Sequence, residues 1–168
     1  MALLKNGKLL QDRWETAETV EEALKPGAKF VSLDLWLAER GLLRGLGAIG
    51  VILPNDADPG VLVDDLDRIA AISLSFPAFT DGRAFSQARI LRDRYGFGGE
   101  LRANGPVIAD QYSFLLRCGF DAVVVSADIH LETWLGAAQR FRSVYQPAAD
   151  DRVPAYRLRH AAPVALAS

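Results

Sequence analysis

From about residue 30 onward, apolar and polar positions alternate between two rhythms: a short β-rich run, then a longer stretch in which apolar residues recur at helical spacing. "KFVSLDLW" gives way to "LAERGLLRG", "AIGVILPN" to "PGVLVDDLDRIA", "AISLSFP" to "DGRAFSQARILRDRYG", "GELRAN" to "VIADQYSFLLRCG", and "DAVVVSA" to "HLETWLGAAQRF". The first kind of run predicts strands and the second kind helices. A strand regained through a helix lies parallel to its predecessor, so the pattern predicts a single α/β domain of about five parallel strands alternating with helices. Two topologies share this grammar, an open doubly wound sheet and an incomplete TIM-like β/α barrel. Both place ligands at the loops beyond the C-terminal ends of the strands.

Ahead of the rhythm, Asn6-Gly7 separates two short apolar runs and supplies the positive φ angles of a tight turn, which predicts a β-hairpin over residues 2–14. "TAETVEEALKPGA" has the acidic first turn and Pro-Gly stop of a short helix or structured loop. In "FLLRCGFDAVVV", Gly119 suits the left-handed position after a helix, with Phe120 packing back on the last turn. Pro59 suits a first helical turn. After Tyr145 the rhythm stops. Residues 1–145 therefore read as the domain and 146–168 as a Pro/Ala-rich tail, with Tyr156 and Leu158 the residues expected to order it against the body.

The 168 residues, 50% hydrophobic and 24% charged, fit one globular domain. The start "MALLKNGKLLQDRW" is charged too early for a secretory signal, and no apolar run is long enough for a membrane span, so a cytoplasmic protein is expected. A net charge of −2 gives no general attraction for nucleic acid. Cys118 is the single cysteine and His130 and His160 the two histidines, which leaves no internal disulfide and no expectation of a structural transition metal. There is no GxGxxG after a strand, no GxxxxGK[ST] and no GxSxG. Neither a cofactor motif nor a catalytic triad is legible, and the cofactor, if one exists, is unknown.

The densest chemistry lies in "FPAFTDGRAFSQARILRDRYGFGGELRANG". Pro77 ends a strand, and Thr80 or Asp81 is the expected N-cap of the next helix. Arg83 then falls in the first helical turn, where a cation opposes the helix dipole unless Asp81 or a bound anion compensates. Backbone N–H groups, Gly82 and an arginine fork make a candidate oxyanion site. The alternative is an internal Asp81–Arg83 pair. Arg89 is a further cation on this helix. Arg102 near the end of its strand, Asn104-Gly105-Pro106 at the turn, and Asp110 or Gln111 opening the following helix form the neighbouring loop. If the two strands are adjacent, Arg102 and Asn104 meet Arg83 in one crevice, unless Arg102 pairs with Asp81 or Glu100. Asp81 and Asp110 are the candidate acid or base. Cys118 reads as a small buried hydrophobe, and His130 as a helix-start residue beside Ser126 and Asp128. Trp14, Trp36 and Trp134 read as core or interface anchors.

The same run, followed by "DQYSFLLRCGFDA" and preceded by "LPNDADP", resembles the bacterial family DUF934 over about residues 30–145. Members are generally labelled oxidoreductases or sulfite-reduction proteins, because their genes tend to lie beside those of sulfite reductase and of adenylyl-sulfate or phosphoadenylyl-sulfate reductase. The resemblance implies a role in sulfur assimilation, and sulfite or sulfate is a small anionic ligand suited to the arginine-bearing loops at Thr80 to Arg83 and Arg102 to Gly105. The expectation is an accessory protein that binds such an anion or docks on sulfite reductase or phosphoadenylyl-sulfate reductase. A small oxidoreductase-like enzyme with an anionic substrate, and a ligand-free homodimeric docking module joined through a Trp-bearing surface, are the alternatives.

Overall fold

The computed structural model describes residues 2–141, 143–150 and 152–159. All eight strands belong to one mixed sheet: β1 (Ala2–Lys5), β2 (Lys8–Gln11), β3 (Glu15–Ala17), β4 (Lys29–Ser32), β5 (Ile49–Leu53), β6 (Ala71–Ser75), β7 (Glu100–Asn104) and β8 (Ala122–Val125). Their order is β2-β1-β8-β7-β6-β5-β4-β3. From β3 to β8 every neighbour is parallel and sequential, while β1 pairs antiparallel with both β2 and β8. The order never reverses. That settles the topology in favour of the incomplete β/α barrel, because a doubly wound sheet needs a switch point.

Two expectations are corrected here. The parallel strands number six, because Glu15–Ala17 forms a three-residue strand beside β4 that is too short to give a periodic signal. The hairpin stops at Gln11 rather than at residue 14, and its first strand joins the sheet beside β8. Its turn is as expected, with Asn6 at φ 51° and Gly7 at φ 70°.

The sheet curls tightly. Its two edge strands, β2 and β3, are joined by only Asp12, Arg13 and Trp14. Four virtual bonds between Gln11 and Glu15 span about 14 Å at most. This short link crosses the concave side and brings Trp14 onto Phe30, ring centroids 4.6 Å apart.

Sequential parallel strands put their crossovers on one face. On that convex face, Val31, Val51, Leu53, Ile72, Leu74, Leu101, Ala103, Val123 and Val125 form one core with the connecting segments. These are α1 (Val20–Ala23), α2 (Leu33–Leu43), a 3-10 segment Pro59–Asp65, α3 (Arg83–Arg89) continuing as a π-turn over Ile90–Arg94, α4 (Tyr112–Arg117) and α5 (Leu131–Gln139). Pro59 begins its segment as expected, but the run tightens into a 3-10 helix whose Asp65 is fully buried, accepting from Trp36 Nε1 at 3.1 Å and paired with Arg44. Gly119 takes φ 95° after α4, and Phe120 N–H returns to Leu115.

The tail is held differently from expectation. Asp150 pairs with Arg117 at 3.1 Å, Ala149 N–H donates to Arg117 O, and α6 (Ala155–Leu158) is tied through Ala155 N–H to Val144 O. Tyr156 and Leu158 are about half exposed and do not anchor it. His160 and the residues after it lie outside the described residues. Among the described residues no helix is long and apolar enough to cross a membrane.

Candidate functional site

Two polar clusters stand at opposite ends of the parallel strands. The first is a rim beyond their C-terminal ends. The loop after β6 and the loop after β7 lie side by side, as adjacency of those strands requires: Phe76 N–H donates to Asn104 O at 2.8 Å. Gly105 makes this possible. It sits at φ 133°, and a Cβ there would fall onto the carbonyl oxygen of Phe76 and 2.9 Å from its carbonyl carbon. The role of Gly105 is thus close packing of two backbones, which no larger residue permits. Gln111 bridges the same loops, accepting from Ile108 N–H at 3.2 Å and reaching Phe79 O at 3.5 Å.

Asp81 is the hub of the rim. Arg83 donates to it from Nε at 3.0 Å, from Nη2 at 2.7 Å and from its backbone N–H at 3.2 Å, while Asn55, from the loop after β5, donates at 2.7 Å. The hydrogen bonds from the Arg83 guanidinium and then its backbone N–H hold the Asp81 carboxyl well below the usual carboxylate range, with Asn55 adding to them. Asp81 in turn raises the pKa of Arg83. This resolves the dipole conflict internally. The helix N-cap is Gly82, with no side-chain cap of its own, so Asp81 acts from one position earlier than expected and Thr80 is exposed without capping.

Asn104 is exposed at the end of β7, and Asp110 pairs with Arg140 at 3.3 Å across to the end of α5. Arg89 is partnered by Asp93 one turn on. Phe79, Ile108 and Phe114 are each about half exposed around this rim, and Phe114 packs against Phe85 with ring centroids 4.7 Å apart and planes inclined at 54°. His130 caps α5 without a side-chain bond, and the Ser126 hydroxyl donates to Asp128, which lowers the pKa of that carboxyl.

The second cluster lies on the concave face. Alternation along β7 sends Glu100 and Arg102 to that face and Leu101 and Ala103 to the core. Arg102 is 2% exposed. Its guanidinium lies 5.1 Å from both the Trp14 and the Phe30 ring centroids, pairs with Asp12 at 2.9 Å and bonds Glu100, which also takes Lys5. Asp12 additionally accepts Trp14 N–H at 3.1 Å. Gly50 leaves room for the rings: a Cβ there would stand 2.6 Å from Phe30 Cδ1 and 2.9 Å from Trp14 Cζ3.

The expected convergence of Arg83 and Arg102 on one crevice is therefore corrected. Arg83 opens the helix beyond the C-terminal end of β6, whereas Arg102 turns toward Glu100 at the N-terminal end of β7. The structure sets the loop that carries Thr80, Asp81, Gly82 and Arg83 beside the loop that carries Asn104, Gly105 and Gln111, the two being joined by Phe76 N–H to Asn104 O and by Gln111 to Phe79 O. Asn55, Asp12, Phe30 and Lys5 belong to the two clusters and went unread, and Trp14, read as a core or interface anchor, lies against Phe30 and Arg102. Trp36 and Trp134, fully and nearly fully buried, are core residues, whereas Trp14 is half-buried. Cys118 is buried, and burial pushes its thiol up to about 11.

The family model described as "Bacterial protein of unknown function (DUF934)" matches residues 50–156, well over half of the chain. The chain belongs to this family. The match begins at Gly50, inside β5, rather than near residue 30, and extends through the tail to Tyr156. Every rim residue lies within the DUF934 span, as do Glu100 and Arg102, whereas Lys5, Asp12, Trp14 and Phe30 precede it. No curated protein is similar to the chain.

Proposed function

We propose that the protein is an accessory factor of assimilatory sulfate and sulfite reduction, which holds a small sulfur oxyanion, or the sulfate end of a nucleotide sulfate, at the rim and docks there on the reductase. The observation that carries this reading is the state of Arg83. Asp81 grips its guanidinium through Nε and Nη2, yet the side chain is 57% exposed and Nη1 makes no hydrogen bond among the described residues. A cation already oriented gives up less freedom when it binds, and its open edge suits one oxygen of an anion. Phe79 and Ile108, exposed on the two adjacent loops of the rim, give a protein partner an apolar foothold with a polar border. The link to sulfur chemistry rests on the family resemblance.

The reading as a small enzyme has less support. Asp81 is held ionised by Arg83, which is the reverse of what a proton donor at neutral pH needs. Tagged protein recovered from native cells tests the docking half. Sulfite reductase should co-purify with the wild type and be lost with Phe79→Asp. Wild-type protein that leaves the reductase in the unbound fraction overturns the docking role, and a flavin absorbance band in the fresh protein would favour the enzyme.

A further inference from the structure

The concave face carries a pocket of about 380 Å³ at the N-terminal ends of the strands, remote from the rim. Its walls are of two kinds. Leu3, Leu10 and Trp14 form an apolar side, with Leu10 44% exposed and the indole half-buried. Lys5, Arg13 and Arg102 face two carboxylates, Asp12 and Glu100. Both carboxylates are committed: Asp12 to Arg102 and Trp14 N–H, Glu100 to Arg102 and Lys5. Arg13, exposed at the same mouth, forms no ion pair among the described residues. The lining thus carries one cation more than its own carboxylates neutralise.

We infer that this pocket binds a small amphipathic monoanion: a flat apolar body against Trp14 and Leu10, with a single carboxylate or sulfonate directed at Arg13. The volume is within the range of small-molecule sites, and an apolar wall with a few convergent polar groups is how such sites combine affinity with orientation. An aromatic body gains from stacking on the indole. Charge selects the rest. A cationic ligand adds to an existing excess of the same sign, a neutral one leaves Arg13 unmatched, and a dianion exceeds the one open charge. The site is independent of the rim reading.

The probe is 1-naphthalenesulfonate, with neutral 1-naphthalenemethanol as its control, each titrated by calorimetry into the full-length protein. The sulfonate is expected to saturate a single site, with the alcohol about tenfold weaker. Arg13→Glu and Leu10→Asp are each expected to weaken the sulfonate about tenfold or more. Both positions are exposed, so melting temperatures should stay near that of the wild type, and each variant tests the site if the other misfolds. Arg83→Ala should bind the probe as the wild type does. Absent binding, equal affinity for the alcohol, retention of affinity in both pocket variants, or loss in Arg83→Ala would each overturn the inference. None of these results bears on capture of the reductase by the rim.

Discussion

Arg83 and Arg102 come from the same stretch of sequence and meet opposite fates. Arg83, with a 57% exposed side chain, shares one carboxylate with a neighbouring asparagine. Arg102, 2% exposed, takes two carboxylates and two aromatic faces. Burial makes the difference. A charge in water needs little from the protein, and a surface pair adds little. A charge removed from water must be matched group for group, and deleting one member strands the rest. The rim can therefore vary its occupant without unfolding the chain, whereas the interior cluster is bound up with the fold because it fastens the 12–14 link to β7.

The largest effect should follow Arg102→Ala, which strips Asp12 of its cation and leaves Glu100 with Lys5 alone. A loss of about 3–5 kcal/mol is expected from urea unfolding. A midpoint equal to that of the wild type would show that the buried cluster is no more structural than the rim. Gly50→Ala should come next, at about 1–3 kcal/mol, because its methyl group must displace the rings that stack on Arg102. Altered tryptophan fluorescence would accompany it, and an unchanged spectrum would argue that Trp14 does not lie against Gly50.

A smaller effect concerns acid. The folded pKa of Asp81 lies below its unfolded value, so its contribution is fully present above about pH 4 and lost as pH falls toward the folded value. Asp81→Asn should therefore melt below the wild type at neutral pH, with the gap narrowing on acidification. A gap that widens would reverse the sign and contradict the Arg83 pairing. The smallest effect is expected for Arg83→Ala in the absence of ligand, a shift in melting temperature much less than that of Arg102→Ala.

Much of this fold was written locally. The strands β5 to β8, the Asn6-Gly7 turn and the Gly119 stop each depend on a few adjacent residues, and each is where the local chemistry puts it, whereas the run "KFVSLDLW" divides: β4 ends at Ser32, which caps α2, and Leu33 to Trp36 are helical. β3 was hidden because three residues cannot display a period, and because its pairing with β4 is a tertiary fact. Strand order was equally invisible, since both candidate topologies use the same strand-helix units. For the rim, the adjacency of the loops after β6 and β7 and the pairing of Asp81 with Arg83 were both within reach. Arg102 was misplaced for a readable reason. Glu100-Leu101-Arg102-Ala103-Asn104 alternates polar with apolar, which assigns Arg102 to a strand face rather than to a loop. Its partners Asp12 and Trp14 stand some ninety positions away, and nothing local announces them.

The most direct test of the account is the rise in melting temperature on adding saturating sulfite, compared between the wild type and Arg83→Ala. An oriented, exposed guanidinium at the rim predicts a rise of several degrees in the wild type, about the size given by roughly 2.7 kcal/mol of binding at a hundredfold excess over Kd. It predicts none in the variant, whose unliganded midpoint stays close to that of the wild type. An equal rise in both proteins, or no rise in either, would contradict it.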